Sequence, residues 1–456
     1  MGRNEVSQNK LEFIVLNDFV PSNHILRLIS EKIDLTFIYE KMEKYYSNLG
    51  RRSIDPVLMF KMLLIGYLFN IRSERELEEQ VHLNIAYRWF LGLDLSDQVP
   101  DHSTFSQNRR RRFKDSNVIQ DIFDHVVKLC IQEGLIGGEI VLTDSTHIKA
   151  SASGGKVEKL IVEKQPSEYL DTLEEEVIKL EKELELQRKS ESKKKRGKKP
   201  GLENEKIEVK LPTTDPDSGF LNRPGKPKGP HYLAHTSFDS KHGIIVDIHP
   251  TAGNLNDSEP YVDRLKVIRD KFNLQYEGAA ADKGYDTTSI LHGLKTLNIE
   301  SYISPIKRSN ASTSTSLKEF TYHKNKDLFI CPFQKELPFS HFYMMRNTYY
   351  KTYSAKTKDC KVCPLREECF GKTATRRTIS RPIAHELIEE NYKRSKTEKY
   401  KEVQRLRRIW CEGSFGTMKG KHNLFSTYKR GTEKIKEQCL FSALALNLKR
   451  MIKIIN

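Results

Sequence analysis

The sequence lacks any uninterrupted apolar run long enough to cross a membrane. The longest apolar stretch, residues 56–69, is broken by Lys61 and falls short of the ~20 residues that a spanning helix needs. The N-terminus also lacks the apolar segment of an export signal. These absences exclude a membrane protein, predict a cytoplasmic location and indicate that residues 56–69 form a buried helix.

Cysteine is scarce and odd in number, with seven residues in the chain. Without an export signal, clustered cysteines are better interpreted as metal ligands than as disulfides. Four thiols within one short window suit a structural tetrahedral Zn²⁺, and His323 or His341 could replace one ligand. Only one pair has the tight spacing of a zinc knuckle, so free thiols in a β-rich insert are the alternative. The four candidates are Cys331, Cys360, Cys363 and Cys369.

Acidic residues are outnumbered, with 61 Asp and Glu against 77 Lys and Arg, which gives a net charge of +16. A charge of this sign and size favours a polyanionic partner, most simply DNA or RNA. The alternative is a soluble protein that is basic without binding nucleic acid. The run Arg109, Arg110, Arg111 and Arg112 lies on a predicted helix and suits contacts to phosphates. A solvated helix face is the competing interpretation of that run.

Residues 1–135 are predicted to form a helical N-terminal DNA-binding domain. Asp55 and Pro56 are typical of a helix start, and they precede an apolar helix over 57–69. Ser73 followed by Glu76 is a capping box that opens another helix. Glycines at 134, 137 and 138 end this helical region.

Residues 139–305 and 396–425 are predicted to form the catalytic core, a mixed sheet flanked by helices in an α+β chain. Apolar strands are expected over 140–144, 231–238, 243–250, 277–281 and 300–303, with helices between the later strands. Residues 156–230 are expected to be inserted as a helical arm and a basic linker, since apolar residues at 173, 177, 180 and 184 precede a lysine-rich run. Residues 306–395 are predicted to be a small Cys-bearing insertion domain, and residues 426–456 a C-terminal helix.

Three acids from remote parts of the chain form the candidate metal site. Asp144 and Asp282 each follow an apolar segment, where two predicted strands are expected to end, and Glu412 lies on a predicted helix. Carboxylates on rigid elements suit two hard cations such as Mg²⁺ or Mn²⁺, which could then promote phosphodiester chemistry. Arg408 and Lys419 lie on the same helix face as Glu412 and could bind phosphates. Taken singly, each acid could equally be a turn residue, a helix cap or a surface ion-pair partner.

The motifs around these acids resemble those of the DDE transposases of bacterial insertion sequences. The resemblance is carried by Thr-Asp-Ser-Thr at Asp144, by Ala-Asp-Lys-Gly-Tyr at Asp282, and by the spacing of Arg408, Glu412 and Lys419. In the third motif, Arg405 stands where the family often has Tyr. The resemblance covers nearly the whole chain and includes a helical N-terminal domain.

This resemblance implies an RNase H-like core in which Asp144 bridges two Mg²⁺ or Mn²⁺ ions and Asp282 and Glu412 hold one each. It implies cleavage at transposon ends by water, followed by transfer of the 3′-OH to target DNA. The implied partners are terminal inverted repeats and target DNA, bound by a homodimer associated with the bacterial nucleoid. A nuclease that does not join DNA, and a non-catalytic regulator derived from a transposase, remain alternatives. Further expected DNA contacts are Lys149, Lys283, Tyr285, Lys429 and Arg430.

Overall fold

The computed structural model describes residues 15–46, 53–113, 116–163, 206–223, 225–306, 319–345, 348–371 and 373–456. The predicted helical arm around residues 173–184 and the lysine-rich run at 193–199 lie outside these described residues. Within the described ranges, no helix combines the length and the apolar character needed to cross a membrane.

The described part of the N-terminal region is helical, as predicted. The apolar helix begins at Pro56 because the Asp55 carboxylate accepts hydrogen bonds from the backbone N–H groups of Val57 and Leu58. Ten of its thirteen residues are buried, so this helix lies at the centre of the others. The helices are α1 (Leu16–Phe19), α2 (Ile25–Lys32), α3 (Phe37–Met42), α4 (Pro56–Leu68), α5 (Glu74–Leu83), α6 (Ile85–Leu91), α7 (His102–Asn108) and α8 (Val118–Gln132). A 3₁₀ turn (Glu43–Tyr45) follows α3, and a π turn (Arg109–Phe113) follows α7.

The core is a mixed sheet in which the central strand has an antiparallel neighbour on one side and a parallel neighbour on the other. Its strands are β1 (Ile140–Lys149), β4 (Phe220–Leu221), β5 (Gly229–Asp239), β6 (Ile245–Ala252), β7 (Gly278–Ala280) and β8 (Glu300–Ser301). Their order is β4-β5-β1-β7-β8, with β6 also paired to β5. With α9 (Tyr261–Phe272) and α10 (Thr288–Thr296) beside it, the sheet confirms the predicted mixed sheet flanked by helices. A separate hairpin joins β2 (Val157–Glu163) and β3 (Lys206–Pro212), and 3₁₀ turns lie at Pro216–Ser218 and Lys283–Tyr285.

Strand β1 does not end at Asp144, contrary to the sequence prediction. It continues to Lys149 because its partner β5 is equally long and buried along its whole length. The antiparallel register runs without a break from Val141 opposite Asp239 to Lys149 opposite His231. Asp144 therefore lies in the middle of a paired strand, where the backbone is held more firmly than at a strand end.

One interrupted helix covers the edge of the sheet. It consists of α14 (Glu398–Arg407), a π turn (Arg408–Glu412) and α15 (Gly413–Lys421), and follows α13 (His385–Arg394). The buried residues Val403, Arg407, Cys411 and Phe415 recur every four positions. Over twelve residues a regular α-helix would rotate such a set by about 120° away from the sheet. The extra residue in the π turn takes up about 100° of this rotation, which keeps all four side chains on the sheet.

The C-terminal helix α16 (Thr432–Ile455) joins the helical region to the sheet. It begins close to the predicted start, and fifteen of its residues are buried. Its side chains share one continuous hydrophobic core with helices α2, α4 and α8 and with strand β6. The amide of Asn447 also pairs with both backbone polar groups of Ile245 in β6. The helical region and the sheet are thus packed as one unit.

A second sheet lies in the Cys-bearing region. Its antiparallel strands are β9 (Thr321–His323), β10 (Leu328–Ile330), β11 (Glu336–Met345), β12 (Thr348–Ser354) and β13 (Thr378–Pro382). A 3₁₀ turn (Lys324–Lys326) and the short helices α11 (Thr357–Lys361) and α12 (Arg366–Cys369) connect them. This sheet has its own small core, which includes Phe329, Leu337, Tyr353 and Ile379.

Candidate active site

The parallel pairing of β1 with β7 brings together the segments that lead to Asp144 and Asp282. Ile140 lies opposite Gly278 and Leu142 opposite Ala280, where the pairing ends two residues before each acid. Glycine is needed at 278 because a Cβ there would lie 2.7 Å from the Tyr302 ring. The small residue therefore leaves room for Tyr302, which follows β8, to pack against β7.

The carboxylate of Asp144 is held in a defined orientation. One oxygen accepts a hydrogen bond from the backbone N–H of Ser145 at 2.8 Å, and the other pairs with the Arg407 guanidinium at 2.7 Å. Burial raises the pKa of Asp144, Arg407 opposes this rise, and the negative charge of Asp282 adds to it. The electrostatic influence of Asp282 on Asp144 agrees with their neighbouring positions in the sheet.

Asp282 opens the 3₁₀ turn that follows β7. Its carboxylate accepts a hydrogen bond from the backbone N–H of Gly284 at 2.8 Å, which fixes the turn. A Cβ at residue 284 would lie 3.0 Å from that same carboxylate oxygen, so glycine suits this position. The turn leaves the Lys283 side chain exposed beside Asp282.

Glu412 lies on the interrupted helix, whose first part is anchored to the sheet. Upstream, the Gln404 amide donates hydrogen bonds to the backbone oxygens of Ala281 and Tyr302, which anchors α14 over β7 and β8. Arg407 then reaches Asp144, and Glu412 lies exposed in the π turn immediately after it. Burial raises the pKa of the neighbouring Cys411 thiol, and the charges of Asp144 and Glu412 raise it further.

The three acids share one region without closing into a single tight cluster. The described residues contain one group of three possible metal ligands whose ligand atoms all lie within 4.8 Å of one another, and that group is Glu78, Asp101 and His102. Asp282 influences Asp144 electrostatically, and Glu412 lies five residues after Arg407, the ion-pair partner of Asp144.

Three other acids near the sheet have structural partners. Asp247 pairs with Arg264, and Asp257 pairs with Arg223 at 3.0 Å. Asp286 accepts hydrogen bonds from the Ile306 backbone N–H and from the Asn391 amide. Asp257 does not cap the helix that follows it, because α9 begins at Tyr261 with no side-chain cap.

The four arginines of the run have different environments. Arg110 and Arg111 are exposed, whereas Arg112 donates to the Asn108 side-chain oxygen at 2.8 Å. Arg109 is buried, and its guanidinium pairs with Glu74 at 2.5 Å and with Glu437 at 2.9 Å. The structure therefore corrects the expectation that Arg109 contacts DNA.

The other predicted DNA contacts divide in the same way. Tyr285 is 1% exposed and packs edge-on against Tyr261, so the structure corrects the expectation for this residue. The structure also corrects the expectation for Lys429, because its ammonium group pairs with Glu437 at 2.7 Å. Lys419 is half-buried, and burial lowers its pKa. The remaining candidates are exposed, namely Lys149, Lys283, Arg408 and Arg430.

The four clustered cysteines approach one another at the second sheet. The negative charges of Cys360, Cys363 and Cys331 all raise the pKa of Cys369, although burial is the larger cause. The Cys331 sulfur accepts a hydrogen bond from the backbone N–H of Lys335 at 3.3 Å, within a tight turn. No three of these sulfurs lie within 4.8 Å of one another in the described structure.

Arg407 is a residue of the site that the sequence analysis missed. Its contact with Asp144 joins residues 263 positions apart, which a local pattern does not predict. A usable signal was present in the four-residue spacing of Val403, Arg407 and Cys411, since a charged residue in an otherwise buried series needs a partner.

Comparison with known families gives two matches. Residues 14–111 match a transposase domain family (DUF772), and residues 330–452 match the transposase DDE domain family. A search of curated proteins gave no match.

Solved structures with some similarity are also transposases. A piggyBac transposase synaptic complex with hairpin DNA is 9% identical, with a TM-score of 0.34, covering 94% of this chain and 74% of that one. A Mos1 transposase paired-end complex is 11% identical, with a TM-score of 0.17, covering 58% of this chain and 64% of that one. On the two family matches, the resemblance of this chain to the DDE transposases is confirmed, with a transposase domain near its N-terminus and a transposase DDE domain towards its C-terminus.

Proposed function

We propose that this chain is a DNA transposase that cuts transposon ends and joins them to target DNA through Asp144, Asp282 and Glu412. The observation that supports this best is the parallel pairing of β1 with β7, which ends two residues before Asp144 and Asp282, together with the Arg407–Asp144 ion pair from the helix that carries Glu412. Three carboxylates from one sheet edge and one crossing helix are a donor set for catalysis on phosphodiesters.

The residues present fit divalent cations. Asp144 and Asp282 offer carboxylate oxygens from adjacent strands, and such oxygens are the ligands that Mg²⁺ and Mn²⁺ prefer. Asp144, Asp282 and Glu412 are the residues that would hold the ions. When bound, the ions supply Lewis-acid activation of the attacking oxygen and stabilisation of the leaving one. Arg407 holds the Asp144 carboxylate in place and balances its charge.

The proposed reaction has two displacements at phosphorus. A water oxygen first attacks the phosphodiester at the transposon end, so that the P–O bond breaks and a 3′-OH is released. That 3′-OH then attacks a target phosphodiester, forming the new bond and releasing a 3′-OH on the target strand. The protein forms no covalent bond to DNA, and a homodimer would hold the two ends together.

A joining assay tests this proposal against its alternatives. The full chain is incubated with Mg²⁺ and a plasmid that carries both ends of its element, and the products are sequenced. Joined ends support a transposase. Nicked product without joining would instead support a nuclease, and DNA binding without either product would support a non-catalytic regulator.

We predict that replacing both Arg110 and Arg111 by Ala weakens DNA binding through the loss of about two phosphate contacts. The slope of log affinity against log salt should become shallower by about 1.8 for duplex DNA. Fluorescence anisotropy with a labelled duplex across a salt series measures this slope. Replacing Lys44 and Lys41 on the nearby helical surface is the matched charge control, and an equal change of slope there would contradict the prediction.

We also propose that Cys331, Cys360, Cys363 and Cys369 bind one structural Zn²⁺. Their sulfurs suit the ion, and Cys331, Cys360 and Cys363 add to the rise that burial causes in the pKa of Cys369. The purified chain should contain about one zinc per molecule by atomic absorption, and Cys360→Ser should lose most of it. Cys130→Ser, at a buried cysteine in α8, is the control and should retain it. Zinc-free protein from a zinc-supplemented preparation would refute this assignment.

A further inference from the structure

Residues 425–430, hereafter the aromatic segment, expose two aromatic rings beside the strand that carries Asp144. Phe425 is 55% exposed and Tyr428 is 77% exposed, the highest value for any aromatic residue that the structure describes. Buried rings are a main source of hydrophobic stabilisation, so leaving two rings in water within four residues forgoes that gain. A binding partner that covers the rings would recover it.

The aromatic segment is held firmly by its backbone. The Lys149 N–H donates to the Phe425 oxygen at 3.2 Å, and the Thr427 N–H donates to the Lys149 oxygen at 3.0 Å. The Gln438 amide of α16 donates to the Ser426 oxygen at 3.0 Å. These bonds fix the backbone that carries the two rings. A ligand that binds the rings therefore does not have to order this backbone, which lowers the entropy cost of binding.

The position of the aromatic segment relates it to the candidate active site. It pairs with the last residue of β1, along the edge that faces β7 and therefore the edge at which Asp282 lies. Lys149 is five residues beyond Asp144, which corresponds to about 16 Å along a strand. A DNA strand whose cleaved phosphate lies at Asp144 would span this distance with about five nucleotides, at 3.4 Å per nucleotide.

The charge around the aromatic segment is positive. Residues 413–432 contain four Lys or Arg residues and no Asp or Glu. Lys149 and Arg430 are exposed, and the Arg430 guanidinium is steadied by a hydrogen bond to the Ser151 oxygen at 3.0 Å. Cations beside exposed rings are the combination that binds a nucleic-acid backbone and stacks its bases.

We propose that Phe425 and Tyr428 stack on unpaired bases of a DNA strand next to the cleavage site, an inference that rests on the proposed function. Base pairs in a duplex hide the base faces from such rings and present phosphates instead. Exposed rings therefore indicate a single strand, and the cations at Lys149 and Arg430 bind its phosphates. The strand end that is opened for cleavage and joining provides such bases.

The test measures binding of a labelled single-stranded oligothymidine and of a labelled blunt duplex, without divalent metal, so that no cleavage occurs. Tyr428→Ala and Phe425→Ala should each weaken oligothymidine binding by about 5- to 150-fold, the range for loss of one base stack. Binding of the blunt duplex should change by less than about twofold. Tyr392→Ala removes a comparably exposed ring on α13 and should leave both affinities unchanged.

The outcomes separate this inference from the proposed function. If the unmodified chain binds duplex DNA but both variants bind oligothymidine normally, stacking by these rings is refuted and the transposase proposal stands. If the unmodified chain binds neither DNA, the proposed function fails and the stacking role fails with it. Thermal unfolding of each variant should match the unmodified chain, because both rings are exposed.

Discussion

Asp144→Asn is expected to lower the rate of metal-dependent DNA cleavage by about a thousandfold, the upper end of the loss caused by removing one transition-state contact. The amide keeps the size of the side chain but removes the negative charge that would hold the cations between Asp144 and Asp282. The measurement is a single-turnover cleavage assay with Mg²⁺ and DNA that carries the element's ends. DNA affinity should stay within about twofold, because phosphate contacts come from exposed cations elsewhere.

Asp257→Asn is the matched control for that experiment. Its carboxylate lies near the same sheet but pairs with Arg223, so its loss should reduce cleavage by less than about tenfold. The thermal stability of both variants must be compared, since Asn at 144 leaves Arg407 with a weaker partner. Full cleavage by folded Asp144→Asn protein would refute the assignment of this acid.

Glu437→Gln is expected to destabilise the protein by about 3–5 kcal/mol, the usual result of removing one partner from a buried ion pair. Glu437 is 7% exposed and accepts from both Arg109 and Lys429, whose side chains are 12% and 22% exposed, so its neutralisation leaves these two cations without the anion between them. Chemical unfolding of the two proteins in urea gives the difference directly. Glu433→Gln, one turn earlier in α16 and exposed, should change the stability by less than about 0.5 kcal/mol.

The contacts of Glu437 with Arg109 and Lys429 also predict how the stability depends on pH. Burial raises the pKa of Glu437, but Lys429 and Arg109 outweigh it, so that the pKa is lowered from its ordinary value of 4.5. A carboxyl with a lowered folded-state pKa contributes stability that is complete above the unfolded value and is lost as the pH falls through the folded one. The stability difference between the unmodified chain and Glu437→Gln should therefore be constant above about pH 5 and shrink below pH 4.5. A difference that grew on acidification would contradict this.

The regular helices and strands could be predicted from the sequence because local sequence signals determine them. The Asp55–Pro56 helix start, the β5–β6 hairpin and the C-terminal helix all carry a cap, a turn or an apolar periodicity. The continuation of β1 beyond Asp144 was missed because four of residues 145–149 are polar, and pairing with the long partner β5 keeps them in the strand.

The sequence predicted that Asp144 and Asp282 lie close together only if their two strands are neighbours in the sheet. The sequence showed two apolar segments that each lead to an Asp, but pairing between distant strands leaves no local mark. Which basic side chains are exposed was even harder to predict from the sequence. Arg109 and Arg110 are adjacent in the chain, yet one is buried between Glu74 and Glu437 and the other is exposed. Such a difference is decided by tertiary packing, which residue type alone does not reveal.

The π turn at residues 408–412 decides which changes of length this helix can accept. A deletion of one residue within the turn would remove the extra residue and restore regular α-helical winding. Phe415 and Met418 would then keep their present direction and stay packed on the sheet. An insertion of one residue at the same place would instead turn both side chains by about 100° away from the sheet. Single-residue deletions here should therefore leave a folded protein, whereas single-residue insertions should unfold it unless a compensating deletion lies within the same nine residues.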